Sequence, residues 1–212
     1  MERKHPKLWS ALIQCVGPDI DVPSELNDEL LASLESVTVS RRAALQAAGA
    51  STEWVYFIVS GLAVAFATVD NGDVCARKAL YLYRSGSFVL PVTASPDTEI
   101  TPIDIELACD SELLRLPYYR YIYFMQTYPD FGYFDQRCRM NIEVERIGHM
   151  AMLRALRTAS DRMLWLYATY PECVTTLPDQ TIGDILGGFS REIICKNRPK
   201  VIEMHQLQQE MA

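Results

Sequence analysis

Apolar residues change their spacing several times along this chain, and each change predicts a different element. At 24–34 they fall at positions 26, 30, 31 and 34, one face of a short helix with Ser24 at its N-cap. The following stretches, 54–60, 62–69, 79–83 and 103–116, are rich in β-branched and aromatic residues. They are separated by Ser60-Gly61, Asp70-Asn71-Gly72-Asp73 and Ser85-Gly86-Ser87, so they read as strands and turns. Asn71-Gly72 suits a turn with positive φ at both central residues, which predicts that 62–69 folds back on 74–83 as a hairpin. From 134 to 159 there is no proline and one glycine, the composition of a single long helix. Met140, Val144, Ile147 and Ala151 step by 4, 3 and 4 along it. That stripe is either a seam with the same helix of a second copy or a face packed on the parent domain. A further helix is expected over 160–170, stopped by Pro171. Over 177–198, a short helix, a glycine turn and a second helix capped by Ser190 form a helix-turn-helix outline. The expected domains are thus 1–133, mainly β; 134–159, the long helix; and 160–212, the helix-turn-helix.

Composition narrows the class. At 212 residues, 49% hydrophobic and 22% charged, the chain is long enough for two modest cores, and no apolar run approaches the roughly 20 residues that span a bilayer. Residues 1–16 start basic, but Ser10 and Gln14 interrupt the apolar part and no small-residue cleavage site follows. An N-terminal amphipathic helix is expected there rather than an export signal, and with it a cytoplasmic location. The six cysteines and three histidines show no ligand-type spacing, so no metal or cofactor is expected and most thiols are read as reduced core fillers. No nucleophile elbow, phosphate-binding loop or Cys and His pairing is present, and the chain is not expected to be an enzyme. The net charge of −7 opposes contact with a polyanion, but it is unevenly spread. Residues 185–200 hold Arg191, Lys196, Arg198 and Lys200 against Glu192, whereas 19–35 holds six acids and no base.

Several segments in this order resemble the Crp/Fnr family of transcription regulators. Val55-Tyr56-Phe57-Ile58-Val59-Ser60-Gly61-Leu62 and Arg84-Ser85-Gly86-Ser87-Phe88 are similar to strand-turn segments of its cyclic-nucleotide-binding β-roll. Asp110-Ser111-Glu112-Leu113-Leu114-Arg115-Leu116-Pro117 is similar to its last strand. Asp161-Arg162, Tyr170-Pro171, Leu177-Pro178, residues 182–187 and Ser190-Arg191-Glu192 resemble the C-terminal part of the shorter, Bacteroidetes-type members. The resemblance implies an α+β fold with an N-terminal double-stranded β-helix (jelly roll), a long dimerisation helix and a C-terminal helix-turn-helix domain. It also implies a homodimer that binds double-stranded DNA, under a small-molecule effector where the family has one.

The departures change the expected effector. Where nucleotide-binding members offer a Glu for the ribose and an Arg with a small hydroxyl residue for the cyclic phosphate, this chain has Pro91 and Thr101-Pro102. Between Phe88 and Leu114 there is no Lys or Arg. A pocket around Phe88, Pro91, Thr101 and Pro102 therefore lacks the guanidinium fork that a phosphate requires, and an effector other than cyclic AMP, or none, is expected. At the DNA end, Gly187-Gly188-Phe189-Ser190 makes the turn one residue longer than usual, and Pro199 is expected to kink or end the recognition helix after about nine residues. The resemblance places Arg191 and Glu192 at base edges, for guanine and cytosine respectively, and Lys196 at a base or a phosphate. Arg198 and Lys200 fall to phosphates, and Ser190 to the helix cap and a phosphate, with Gln180 or Thr181 acting similarly one helix earlier. The alternative is a β-roll ligand-binding or protein-interaction module whose helix-turn-helix has degenerated. Two further readings stay open: His149 as a titrating group on the long helix, and the aromatic cluster at 118–134 as a lid, an interface or plain packing.

Overall fold

The computed structural model describes residues 5–8, 10, 24–70, 72, 75–90 and 101–210. The expectations for the N-terminal helix, for Pro91 and for Cys15 fall largely or wholly outside them. The chain divides into two compact units, Met1–Ala63 with Tyr83–Glu145, and Val64–Leu82 with Arg146–Ala212.

The elements of the β-roll are α1 (Ser24–Ser33), β1 (Glu35–Val39), β2 (Ala44–Gln46), β3 (Trp54–Ser60), β4 (Leu62–Asp70), β5 (Cys75–Arg84), β6 (Phe88–Val89), β7 (Asp104–Leu107) and β8 (Ser111–Pro117). They form two four-stranded sheets, in the orders β1-β8-β3-β6 and β2-β7-β4-β5, and this is the jelly roll that the resemblance implies. β4 and β5 are neighbours, as the hairpin reading requires, and Gly72 sits at φ +85° with its N–H bonded to Asp70 Oδ1 at 2.8 Å. β8 is antiparallel to both neighbours, with Val37 opposite Leu113 on one side and Ile58 opposite Leu113 on the other. The register slips between Ile58 and Ser60, and the chain then turns at Gly61 (φ +121°), where any Cβ would overlap the side chain of Ser111.

α2 (Tyr118–Thr127) and α3 (Pro129–Ala155) follow. α3 starts five residues before the expected 134 and stops four before 159. Pro129 is tolerated in the first turn, where its missing N–H costs nothing. At the other end, Thr158 Oγ1 accepts from Asp161 N at 3.1 Å and so caps the next helix. The aromatic cluster packs: Tyr121, Phe124 and Phe131 are buried, with Phe124 and Phe131 ring centroids 5.4 Å apart, while Tyr119, Tyr123 and Tyr133 stay exposed.

The second unit is built on α4 (Ala159–Thr169), α5 (Cys173–Thr176), α6 (Asp179–Ile185) and α7 (Arg191–Glu210). Its core is Met163, Leu166, Tyr167, Ile182, Leu186, Ile194 and Val201, all without solvent exposure. Of the two outcomes expected at Pro199, a kink or an end, the end does not occur: α7 runs through the proline for 20 residues. Beyond the proline it still buries Val201 and His205, whose ring lies 6.3 Å from that of Tyr167, and this packing outweighs the one helical hydrogen bond that proline removes.

Candidate functional site

The segment α6-turn-α7 is held by backbone geometry. The Gly183 carbonyl accepts from the N–H groups of both Gly188 (2.9 Å) and Phe189 (3.1 Å), and Gly187 and Gly188 both sit at positive φ, which glycine adopts without strain. The long turn that the sequence shows therefore closes back onto α6. Arg162 on α4 braces it: Nη1 donates to the Leu186 carbonyl at 2.7 Å and Nε to the Leu156 carbonyl at 3.0 Å, with the guanidinium 5.3 Å from the Phe189 ring. Ser190 then caps α7, its Oγ accepting from Ile193 N at 3.4 Å.

On α7, at 3.6 residues per turn, Glu192, Lys196, Lys200 and Glu203 lie on the side opposite the buried Ile194, Val201 and His205, and all four are exposed. Arg191 is exposed in the first turn. The carboxyl of Glu192 is held below the ordinary carboxylate range, first by its own backbone N–H at the helix start and then by the Ser190 hydroxyl. It is an anionic acceptor at neutral pH. Arg198 departs from its expected place at a phosphate. It turns inward, pairs with Asp179 and donates through Nη2 to the carbonyls of Val174 (2.7 Å) and Leu177 (3.2 Å). It ties α7 to the start of α6 because position 198 lies at the edge of the buried face. Asn197 likewise points back, donating to the Ile193 carbonyl at 2.7 Å and accepting from Ser160 Oγ at 2.9 Å.

On α3 the stripe is open to solvent. Met140, Val144 and Ile147 are 47%, 63% and 59% exposed and Ala151 is exposed, so within one chain it is not covered by the parent domain. His149 lies beside it but is engaged: its Nδ1 is 2.8 Å from the Tyr170 hydroxyl and its ring 5.2 Å from that of Trp165. It pins α3 to α4.

The described residues around the expected ligand position do not converge. Phe88 is a core residue, 5.0 Å from Phe57 ring to ring. Thr101 is buried with its hydroxyl donating to the Ile103 carbonyl at 3.1 Å, and Pro102 is exposed. Of the three, only Phe88 lines a cavity among the described residues of the first unit, which is about 60 Å³ and walled mainly by Leu, Val and Phe side chains, among them residues of α1, β3, β6, β8 and α3. That is less than half the roughly 150 Å³ that admits benzene, so it does not hold a nucleotide as it stands. Its one carboxylate, Asp135, is already satisfied by the Tyr121 hydroxyl and by Arg139 Nε, each at 2.7 Å. Burial, and then the Asp135 charge, push the Tyr121 phenol above its ordinary range, so it serves as a neutral donor. Tyr121→Phe is expected to lower stability by about 1–2 kcal/mol by leaving Asp135 short of a partner, measurable as a shifted urea midpoint.

Of the five described cysteines, Cys138 and Cys173 are buried, Cys109 is partly so, and Cys75 and Cys195 are exposed, which corrects the expectation that most fill the core. Cys195 faces solvent because α7 buries only its 194–201–205 side. Among the described residues no cluster of His, Cys, Asp and Glu is arranged to hold a metal ion, and no helix is long and apolar enough to cross a membrane.

No family model matches the sequence, and no curated protein does. Solved structures do match. A protein of Eubacterium rectale described as a transcriptional regulator of the Crp/Fnr family superposes with a TM-score of 0.63 at 14% identity, over 89% of this chain and 85% of its own. FixK2 of Bradyrhizobium japonicum matches with a TM-score of 0.62 at 12% identity, over 81% of this chain and 85% of its own. The c-di-GMP-responsive global regulator CLP of Xanthomonas campestris matches at 0.59 and 18%, over 88% and 93%. Likeness at these identities establishes the fold: a cyclic-nucleotide-binding-like roll followed by the helical region of Crp/Fnr-type proteins.

Proposed function

We propose that this chain is a homodimeric, sequence-specific DNA-binding transcription regulator of the cytoplasm, with an effector other than cyclic AMP or with none. The observation that carries the reading is the outward face of α7. A capped helix follows a rigid glycine turn and presents Arg191, Glu192, Lys196 and Lys200 to solvent, the residue types that pair with guanine, cytosine and phosphate. The fold shared with Crp/Fnr regulators supports the same assignment. The exposed stripe of α3 supplies the second copy, so that two α7 helices address half-sites about 34 Å apart. Absence of Lys and Arg between Phe88 and Leu114 speaks against an anionic nucleotide.

Binding to genomic DNA fragments over a salt series tests the reading. The wild-type chain is expected to bind with an affinity that falls steeply with salt. Arg191→Ala is expected to weaken it by about 1–3 kcal/mol and relax the preference for one base, and Lys196→Ala to reduce the salt slope by about one. Affinity that ignores both salt and these substitutions would instead support the alternative, a roll whose helix-turn-helix no longer grips DNA.

A further inference from the structure

The exposed stripe of α3 reaches further toward the N-terminus than Met140. Positions 130, 133, 137, 140, 144, 147 and 151 are separated alternately by three and four residues, the spacing of a seam between two paired helices. Phe131, Asp135 and Cys138, which α3 buries, lie on its opposite side. One residue of the stripe does not suit an apolar seam. Arg137 is already half-buried in the single chain, and its Nε has neither water-accessible surface nor a hydrogen-bond partner. Among the described residues no carboxylate of α3 answers it. Asp135 is taken by Tyr121 and Arg139, Glu145 pairs with Arg84, and Glu143 lies off the stripe.

We propose that two paired α3 helices hold a phosphate-type dianion, free phosphate or a phosphomonoester, between their two Arg137 side chains; this rests on the homodimer reading above. In a parallel twofold pair each stripe position faces its own copy, so two guanidinium groups meet at the seam. Like charges brought together with less water around them repel strongly. Tyr133, Gln136 and Met140, which flank that layer, are neutral. Asp130, the nearest carboxylate along the stripe, is two helical turns or about 10 Å away. Helical side chains lean toward the N-terminus, so Asp130 leans away from the Arg137 layer in both copies. A dianion removes the conflict, whereas a monovalent anion leaves one positive charge uncompensated. Its oxygens accept from both guanidinium forks at once. Tyr133, 48% exposed and one turn earlier on the stripe, adds a hydroxyl donor from each copy. Because one chain carries only half of the site, the anion favours the dimer over the monomer.

Sedimentation equilibrium of the full chain tests the site, at constant ionic strength in chloride alone and with inorganic phosphate or phenyl phosphate added. With the anion about tenfold above its own Kd, the dimer dissociation constant of the wild type is expected to fall about tenfold. Calorimetry is expected to give one anion per two chains. Arg137→Gln, its helix content checked by circular dichroism, supplies a sign test. Loss of a merely structural arginine predicts a weaker dimer, whereas relief of repulsion predicts one as tight in chloride alone as the wild type is with phosphate, and indifferent to phosphate. A response to inorganic phosphate alone assigns the site to the free ion, and a response to phenyl phosphate alone assigns it to a phosphomonoester. A wild-type dimer equally tight in all three buffers overturns the site while the homodimer reading stands, as does a phosphate response that survives in Arg137→Gln. If wild type and variant both stay monomeric in every buffer, it is the homodimer reading that falls, and the anion site with it.

Discussion

Gly183→Ala is expected to cost about 3 kcal/mol or more and to abolish DNA binding, a larger effect than any loss of a single α7 side chain. A Cβ at this position would overlap the carbonyl oxygen of Phe189 and lie 3.2 Å from its carbonyl carbon. The obstacle is backbone, and no rotamer change relieves it. It is also the backbone of the turn that Gly183 itself anchors through Gly188 and Phe189. Relief requires the turn to lift off α6, which carries Ser190 and Arg191 out of register and opens the core at Ile182 and Ile194. A loss of this size lowers the melting temperature by about 6–12 °C for a chain of this length, measurable by calorimetry. The same substitution at Gly132, a helical glycine with nothing within 4 Å of the added carbon, is the control. An equally small effect at both glycines would show that the turn is not held as described.

The second large effect concerns the proposed seam. Val144→Glu with Ile147→Glu is expected to leave a monomer and to weaken DNA binding at least about a hundredfold, because one recognition helix then contacts one half-site without its tethered partner. In a twofold interface each position faces itself or a near neighbour, so the two substitutions place four carboxylates in one apolar strip. Both positions are already more than half exposed in the single chain, so the substitutions leave its own core intact. Sedimentation at micromolar concentration, with a helix content unchanged by circular dichroism, separates dissociation from unfolding. A double variant that still sediments as a dimer would place the contact elsewhere.

Much of this architecture was legible from local patterns. The stretches rich in β-branched and aromatic residues, Asn71-Gly72 and the helical stripe on α3 each rest on interactions within a few residues, and the structure has strands, a hairpin and an apolar face at those places. The cap that Thr158 gives Asp161 sets the boundary between α3 and α4, which composition alone placed too late. Pro199 does not end α7, because Val201 and His205 beyond it are buried against α4 and Tyr167, packing that a rule for an isolated helix leaves out.

The candidate site divides the same way. Ser190 at a cap, Arg191 and Glu192 in the first turn and Lys196 on the outward side follow from position along one helix, so sequence alone determined them. The burial of Arg198 against Asp179, Val174 and Leu177 did not follow, and neither did the capture of Asp184 by Lys78 across 106 residues. A charged residue in a sequence carries no mark of the partner it will meet. Whether Arg198 reads a phosphate or braces a turn depends on which carbonyls the folded chain leaves beside it, and only the tertiary structure decides that.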